Sequence, residues 1–314
     1  MKRNLKSYIT VSLKGLGMGA ADVVPGVSGG TIAFITGVYE ELVTTIANVD
    51  LGLLKTWKKE GFTTMWKQLN GNFILALLIG IFMSVFTLMR LTNYLLETYP
   101  VIVWSFFFGL VVASVWYVGK QIDRWTLKLV VFALLGFGIA YGITLMAPAQ
   151  GMDHPLYFML CGAVAICAMI LPGISGAFIL VLMGSYKTIT EAVSEFNFQV
   201  IGLVGLGAII GLLSFSRILK WLFTNFRLVT LAILTGFIAG SLNKIWPWKN
   251  VMDSVLIKGK LVILDDISVL PQHFEGDPQL FSAITAAALG FLLILLLEKI
   301  AEKQPLSHAK HQDV

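Results

Sequence analysis

The run VVPGVSGGTIAFITGVY, Val23–Tyr39, is apolar enough for a membrane interior, yet a Pro-Gly pair and a Gly-Gly pair break it near its start. Proline lacks a backbone donor and clashes with the preceding turn, and glycine is costly to order, so one continuous helix is not expected there. Further along, ILPGISGAFILVLMGSY, Ile170–Tyr186, repeats the pattern. Pro25, Gly26, Ser28, Gly29, Gly37 and Tyr39 fall on Pro172, Gly173, Ser175, Gly176, Gly184 and Tyr186 at a constant offset of 147. A second match follows each motif at an offset of 127: Arg90 falls on Arg217, and Gly109–Ser114 (GLVVAS) on Gly236–Ser241 (GFIAGS). Internal repeats fix architecture before any single element does. The chain divides into a first repeat over 1–149 and a second over 150–314, the first carrying a longer linker, LGLLKTWKKEGFTTMWKQLN.

Composition sets the solvent. Of 314 residues 57% are hydrophobic and 13% charged, and the mean hydropathy is +0.82. A soluble domain carries roughly twice that charge. Six runs, including 72–89, 98–119, 129–152 and 278–297, lack Asp, Glu, Lys and Arg, and about 20 apolar residues span a bilayer. The chain therefore reads as an all-α polytopic membrane protein. Each repeat is expected to hold a broken re-entrant hairpin, near 8–47 and 156–195, followed by three transmembrane helices. Those helices are expected near 72–96, 101–119 and 127–147, then near 200–221, 228–246 and 280–299.

Three spans per repeat is an odd number, and a hairpin adds none or two, so the second repeat is expected to be inverted relative to the first. With the N-terminus in the cytoplasm, Lys2, Arg3, Lys6, Lys14, the linker lysines, Lys120, Arg124 and Lys128 fall inside, as do Arg217, Lys220, Arg227 and the C-terminal lysines. Outside fall Lys187, Lys244, Lys249, Lys258 and Lys260. That bias follows the positive-inside rule. It puts both termini in the cytoplasm, with one sizeable outer loop over about 247–279 and a cytoplasmic tail. The basic N-terminal stretch has no long apolar core or small-residue cleavage site, so no removed signal peptide is expected. The net charge of +5 is spread over helix ends and loops, which does not suggest nucleic acid. Cys161 and Cys167 share one apolar run and read as buried small residues; no metal-ligand spacing involves the four histidines.

A broken helix leaves backbone N–H groups without intrahelical partners, tolerated in a bilayer only where protein or a water-filled cavity meets them. Such breaks in inverted repeats mark the midplane site of a transporter, and a helix N-terminus attracts an anion. Gly26, Ser28, Gly29, Gly30 and Thr31 in the first hairpin, with Gly173, Ser175 and Gly176 in the second, are the candidate anion-binding residues. Close helix packing would use small residues too. Arg90 and Arg217 are expected near opposite membrane faces and to turn inward as a pair of anion contacts, although arginines at such positions also snorkel to the interface. Asp22, just before the first break, is a candidate for a coupling proton or a cap. Glu40 and Glu41 are weaker candidates, at the point where the hairpin returns to the surface. Coupling to a proton or sodium gradient is the role these acids would serve.

GLGMGAADVVPGVSGGTIAFITGVYEEL, its second copy LPGISGAFILVLMGSY, and the arginine helices resemble the PopT family of polyprenyl-phosphate translocases. The resemblance covers nearly the whole chain. It implies flipping of undecaprenyl phosphate, the lipid carrier of envelope glycan synthesis, from the outer leaflet to the cytoplasmic one. It also implies head-group roles for Ser28, Gly29, Ser175, Gly176, Arg90 and Arg217. The residues themselves reach an anion-handling transporter of the plasma or inner membrane, with no cofactor and with a homo-oligomer left open. A carrier of a small soluble anion or ion is the alternative. An intramembrane phosphatase is disfavoured, because no histidine lies in a hairpin to assist a nucleophile.

Overall fold

A computed structural model describes residues 4–22, 27–257 and 260–302. The fold is helical. Each repeat opens with three helices: α1 (Leu5–Asp22), α2 (Gly29–Ile35) and α3 (Tyr39–Ala47) in the first, α9 (Pro155–Ile170), α10 (Gly176–Leu182) and α11 (Tyr186–Ser194) in the second. Ser28 and Ser175 are the N-caps of α2 and α10, both in extended backbone, and their side chains accept from Gly30 N–H and Phe178 N–H. Gly37 (φ 72°) and Gly184 (φ 64°) end those helices in the left-handed region, where a side chain would be strained. The short helix and the one after it are therefore sharply bent, by 115° between α10 and α11.

In the first repeat the linker is not the plain connection its composition suggests. It folds into α4 (Leu51–Glu60) and α5 (Phe62–Gln68), separated by Gly61 at φ 83°. The Asp50 carboxylate caps α4 by accepting from Leu53 N–H at 3.1 Å. Leu51, Leu54, Trp57 and Phe62 stay exposed beside Lys55, Lys58 and Lys59, the pattern of helices that lie along a bilayer interface.

Long helices follow: α6 (Gly71–Thr98), α7 (Pro100–Lys120) and α8 (Leu127–Thr144), matched by α12 (Phe198–Asn225), α13 (Arg227–Ser241, continued by a 3-10 turn to Ile245) and α14 (Leu280–Glu302). Five of these six are long and apolar enough to cross a membrane; the apolar part of the sixth, Leu280–Leu296, is slightly shorter. The segment between α13 and α14 adds a small sheet to this helical fold. Strands β1 (Lys249–Ile257) and β2 (Lys260–Ser268) form an antiparallel two-stranded sheet, Lys249 opposite Ser268 and Ile257 opposite Lys260. Trp246 Nε1 donates to Val269 O at 2.8 Å and Trp248 Nε1 to Pro278 O at 2.9 Å, which ties this sheet to the ends of the bundle.

Packing follows the repeat. Helix α1 lies on α6 and α9 on α12, within each repeat, whereas α7 pairs with α14 and α8 with α13, across the repeats. Matched glycines make these contacts. A methyl on Gly15 would strike the Leu77 carbonyl, and one on Gly162 the Val204 carbonyl, its equivalent. Gly109 and Gly236 likewise press against the carbonyls of Ala287 and Ala133. Without a hydrophobic drive between helices in lipid, such close backbone approach is what holds them. The largest core cluster gathers Val27, Ile35, Val43, Phe73, Leu77, Leu231 and Ile238, each no more than 2% exposed, around the first hairpin.

Candidate functional site

The two breaks meet. Ser28 Oγ lies 3.3 Å from Met169 O and 3.2 Å from Leu171 O, so its one hydroxyl proton is shared between carbonyls at the end of α9. Gly30 approaches the Ile170 carbonyl so closely that a Cβ would stand 2.7 Å from it. The first tip thus seats directly on the second, with Ser28 only 1% exposed. Pro25 and Gly26 lie outside the described residues.

The free donors expected at the first tip are already used. Gly29 N–H donates to Asp22 Oδ1 at 2.7 Å, Gly30 N–H to Ser28 Oγ at 3.1 Å, and Thr31 N–H to the Ser28 carbonyl at 3.0 Å. Asp22 is the anion at this helix start, and it belongs to the protein. The Ser28 hydroxyl joins the two tips. The Thr31 hydroxyl is fully buried with no partner among the described residues.

The second tip differs. Its counterpart of Asp22 is Met169, an apolar residue. Ser175 Oγ accepts from Phe178 N–H at 3.3 Å, and Ile179 N–H donates to the Ser175 carbonyl. Among the described residues the N–H groups of Gly176 and Ala177 have no acceptor, and Ala177 is exposed. Gly173, at φ 103°, brings the backbone against Ser241 on α13; a Cβ there would lie 2.6 Å from Ser241 Oγ. Lys244 Nζ stands 4.5 Å from the Phe178 ring centroid and is bonded to Asp266 of β2. Ala177, Ser241 and Lys244 are not among the candidate site residues of the sequence. No motif links them to the tips, because they come from the helix after the tip and from a different helix end.

The arginines are not brought to the tips. Arg90 is exposed, without a hydrogen bond or ion pair among the described residues. Arg217 is exposed too, and its Nη2 donates to Val49 O at 2.8 Å, past the end of α3. The expectation that both face the interior is therefore corrected: Arg217 spends its guanidinium on a backbone carbonyl. Around it, Lys220 Nζ donates to Asn48 Oδ1 at 2.7 Å and Arg227 pairs with Glu40 at 2.9 Å. Glu41 accepts from Asn70 Nδ2 at 2.8 Å. Glu40 and Glu41 accordingly act as surface fasteners of α3.

Comparison with known proteins agrees with this architecture. The family model described as VCA0040-like, undecaprenyl phosphate translocase-like, matches residues 18–260. A polyprenyl-phosphate transporter of Vibrio cholerae is 45% identical over 302 residues, which is 95% of this chain and 98% of that protein. A polyprenyl-phosphate transporter of Staphylococcus aureus is 33% identical over 255 residues, 75% of this chain and 85% of that one. No solved structure matches. With paired Pro-Gly-Ser-Gly breaks meeting inside a multi-pass helical bundle, the chain belongs to the undecaprenyl phosphate translocase-like family.

Proposed function

We propose that this protein carries a polyprenyl phosphate, undecaprenyl phosphate in the first instance, from the outer leaflet to the cytoplasmic leaflet of the plasma or inner membrane. The contact between the two tips carries the reading. It places the unpaired N–H groups of Gly176 and Ala177 where two broken helices converge, beside Ser175 and Gly173. A phosphate there would replace the missing acceptor, and donors aimed at an anion are stronger than neutral pairs. At the first tip Asp22 already plays that part, so its protonation would free Gly29 N–H and couple the head group to a proton gradient.

The matched glycine contacts and the exchange of α8 and α14 between repeats support an inverted two-fold arrangement, with the repeats divided near residue 150 and both termini cytoplasmic. The isoprenoid tail stays in lipid, since burying each CH₂ in a polar path would forfeit about 0.8 kcal/mol. The protein performs no bond chemistry on its substrate in this reading.

The test is a reconstituted vesicle assay in which one leaflet is loaded with polyprenyl phosphate and its appearance in the other is followed. Short-chain prenyl phosphates are expected to compete and the prenyl alcohol is not. Equal inhibition by alcohol and phosphate would falsify a phosphate-reading site. Competition by inorganic phosphate alone, with no lipid movement, would favour a soluble-anion carrier instead.

A further inference from the structure

The two repeats are alike in sequence and in helix bounds, yet they are not alike in packing, and the difference falls in one place. Helix α12 carries α3 along its length and also supports α11. Its counterpart α6 carries no comparable packing from either helix among the described residues. On the α12 side Phe34, Tyr39 and Phe223 form a buried ring cluster, with Tyr39 and Phe223 centroids 6.0 Å apart. Their repeat equivalents Val181, Tyr186 and Leu96 are only half-buried. Arg217 holds the Val49 carbonyl, while its equivalent Arg90 is exposed and unpaired among the described residues. The equivalent of Val49 is Phe196, itself 71% exposed.

We propose that the protein has a second state in which α11 docks on α6 as α3 docks on α12 here, with the Arg90 guanidinium bonding the Phe196 carbonyl. A chain built from two related halves has two mirrored ways of closing, and Arg217 and Val49, which meet on one side, have Arg90 and Phe196 as their equivalents on the other. In the structure α3 is docked on α12, and α11 is not docked on α6. In the second state α3 leaves α12, Arg217 lets go of Val49, and the opening passes to the other face of the tips. Each arginine is thus a latch when its side is shut and a free cation when its side is open. Resting on the transport reading above, this gives an incoming lipid phosphate one unpaired guanidinium at a time, on the side from which it enters. It also explains why neither arginine touches the tips.

The experiment reads geometry, not transport. In a background with Cys161→Ser and Cys167→Ala, the full-length protein in vesicles carries either Val49→Cys with Arg217→Cys, or Phe196→Cys with Arg90→Cys. Both pairs are expected to form a disulfide under mild oxidation. With all four substitutions in one chain, intact mass after alkylation is expected to show one bond and two alkylated thiols. Two bonds in the same molecule would overturn the proposal, as would failure of the 90–196 pair under conditions where the 49–217 pair closes fully. A second measurement leaves both arginines in place. Spin labels at Lys187→Cys and Glu97→Cys are expected to give two distance populations, and a single long distance would sink the two-state gate. A protein that forms the exclusive bonds but moves no lipid phosphate keeps the gate and loses the transport reading. One that moves lipid without the 90–196 bond does the reverse.

Discussion

Ser28 does three things with one side chain: it caps α2, shares its proton with two carbonyls of the opposite break, and fills a site with 1% exposure. Ser28→Ala leaves Gly30 N–H and those carbonyls without partners. A lost cap costs about 1 kcal/mol and a stranded buried polar group about 1–3 kcal/mol. Thermal unfolding in detergent should therefore fall clearly for Ser28→Ala and less for Ser175→Ala, whose serine is half-buried and bonds only within its own turn. Equal losses would mean that the tip-to-tip bond contributes nothing. Asp22→Asn separates charge from shape. Asparagine still offers Gly29 N–H an acceptor, so stability should hold to within about 1 kcal/mol, while any pH dependence of transport carried by this acid should flatten. An unchanged pH–rate profile would remove Asp22 from coupling. The pairing of Ser28 with Ser175 is legible in the sequence. That Asp22 occupies the first tip is legible only in part, because the six residues between it and Gly29 give no sign of which way the chain turns.

At the scale of elements, apolar run length and charge placement mark all six long helices, because a bilayer imposes length directly. The linker helices and the sheet between α13 and α14 are harder to see. KNVMDSVLIKGKLVILDDIS sets two short β-branched apolar runs, VLI and LVIL, on either side of Lys258-Gly259, a hairpin signal that the strong membrane pattern on either side obscures. Asp266 anchors this sheet. Burial alone would raise its carboxyl, but Lys249 at 2.7 Å and Lys244 at 3.2 Å outweigh that and hold it below the usual carboxylate range. A carboxyl depressed in the fold contributes stability above its unfolded pKa and loses it as pH falls through the folded value. Hydrogen exchange in residues 249–268 should therefore accelerate below about pH 4, and Asp266→Asn should show that faster exchange already at neutral pH. Helix contacts predict a matched pair of effects. Gly109→Val and Gly236→Val each push a side chain into a carbonyl of the partner helix, a clash of the kind that costs roughly 1–3 kcal/mol. Similar losses from both would bear out the repeat in energetic terms; a harmless Gly236→Val would show that α13 does not depend on close approach to α8.

For the whole molecule, the repeat is written in the sequence, but which of its two closed arrangements is occupied is not, because the same residues must serve both and only one can be occupied at a time. The sequence does show which arrangement is better fastened. Glu40 and Arg227 pair at 2.9 Å on the α3 side, where their equivalents are Lys187 and Pro100, which cannot pair. Lys220 and Asn48 add a further bond there at 2.7 Å. These groups are about half exposed, 53% for Arg227 and 46% for Glu40, so water screens them. An exposed pair is worth about 0.2–1 kcal/mol. Glu40→Ala should thus move the balance toward the α11-closed state by no more than about fivefold. In the oxidised Phe196→Cys, Arg90→Cys protein, the added substitution should raise the rate of disulfide formation by that modest factor. The 49–217 pair should slow as well, by the fraction of its population that the shift removes, since one population is drawn from the other. A change of the 90–196 rate with no opposite change at 49–217 would mean that Glu40 steadies α3 locally and takes no part in a shared equilibrium.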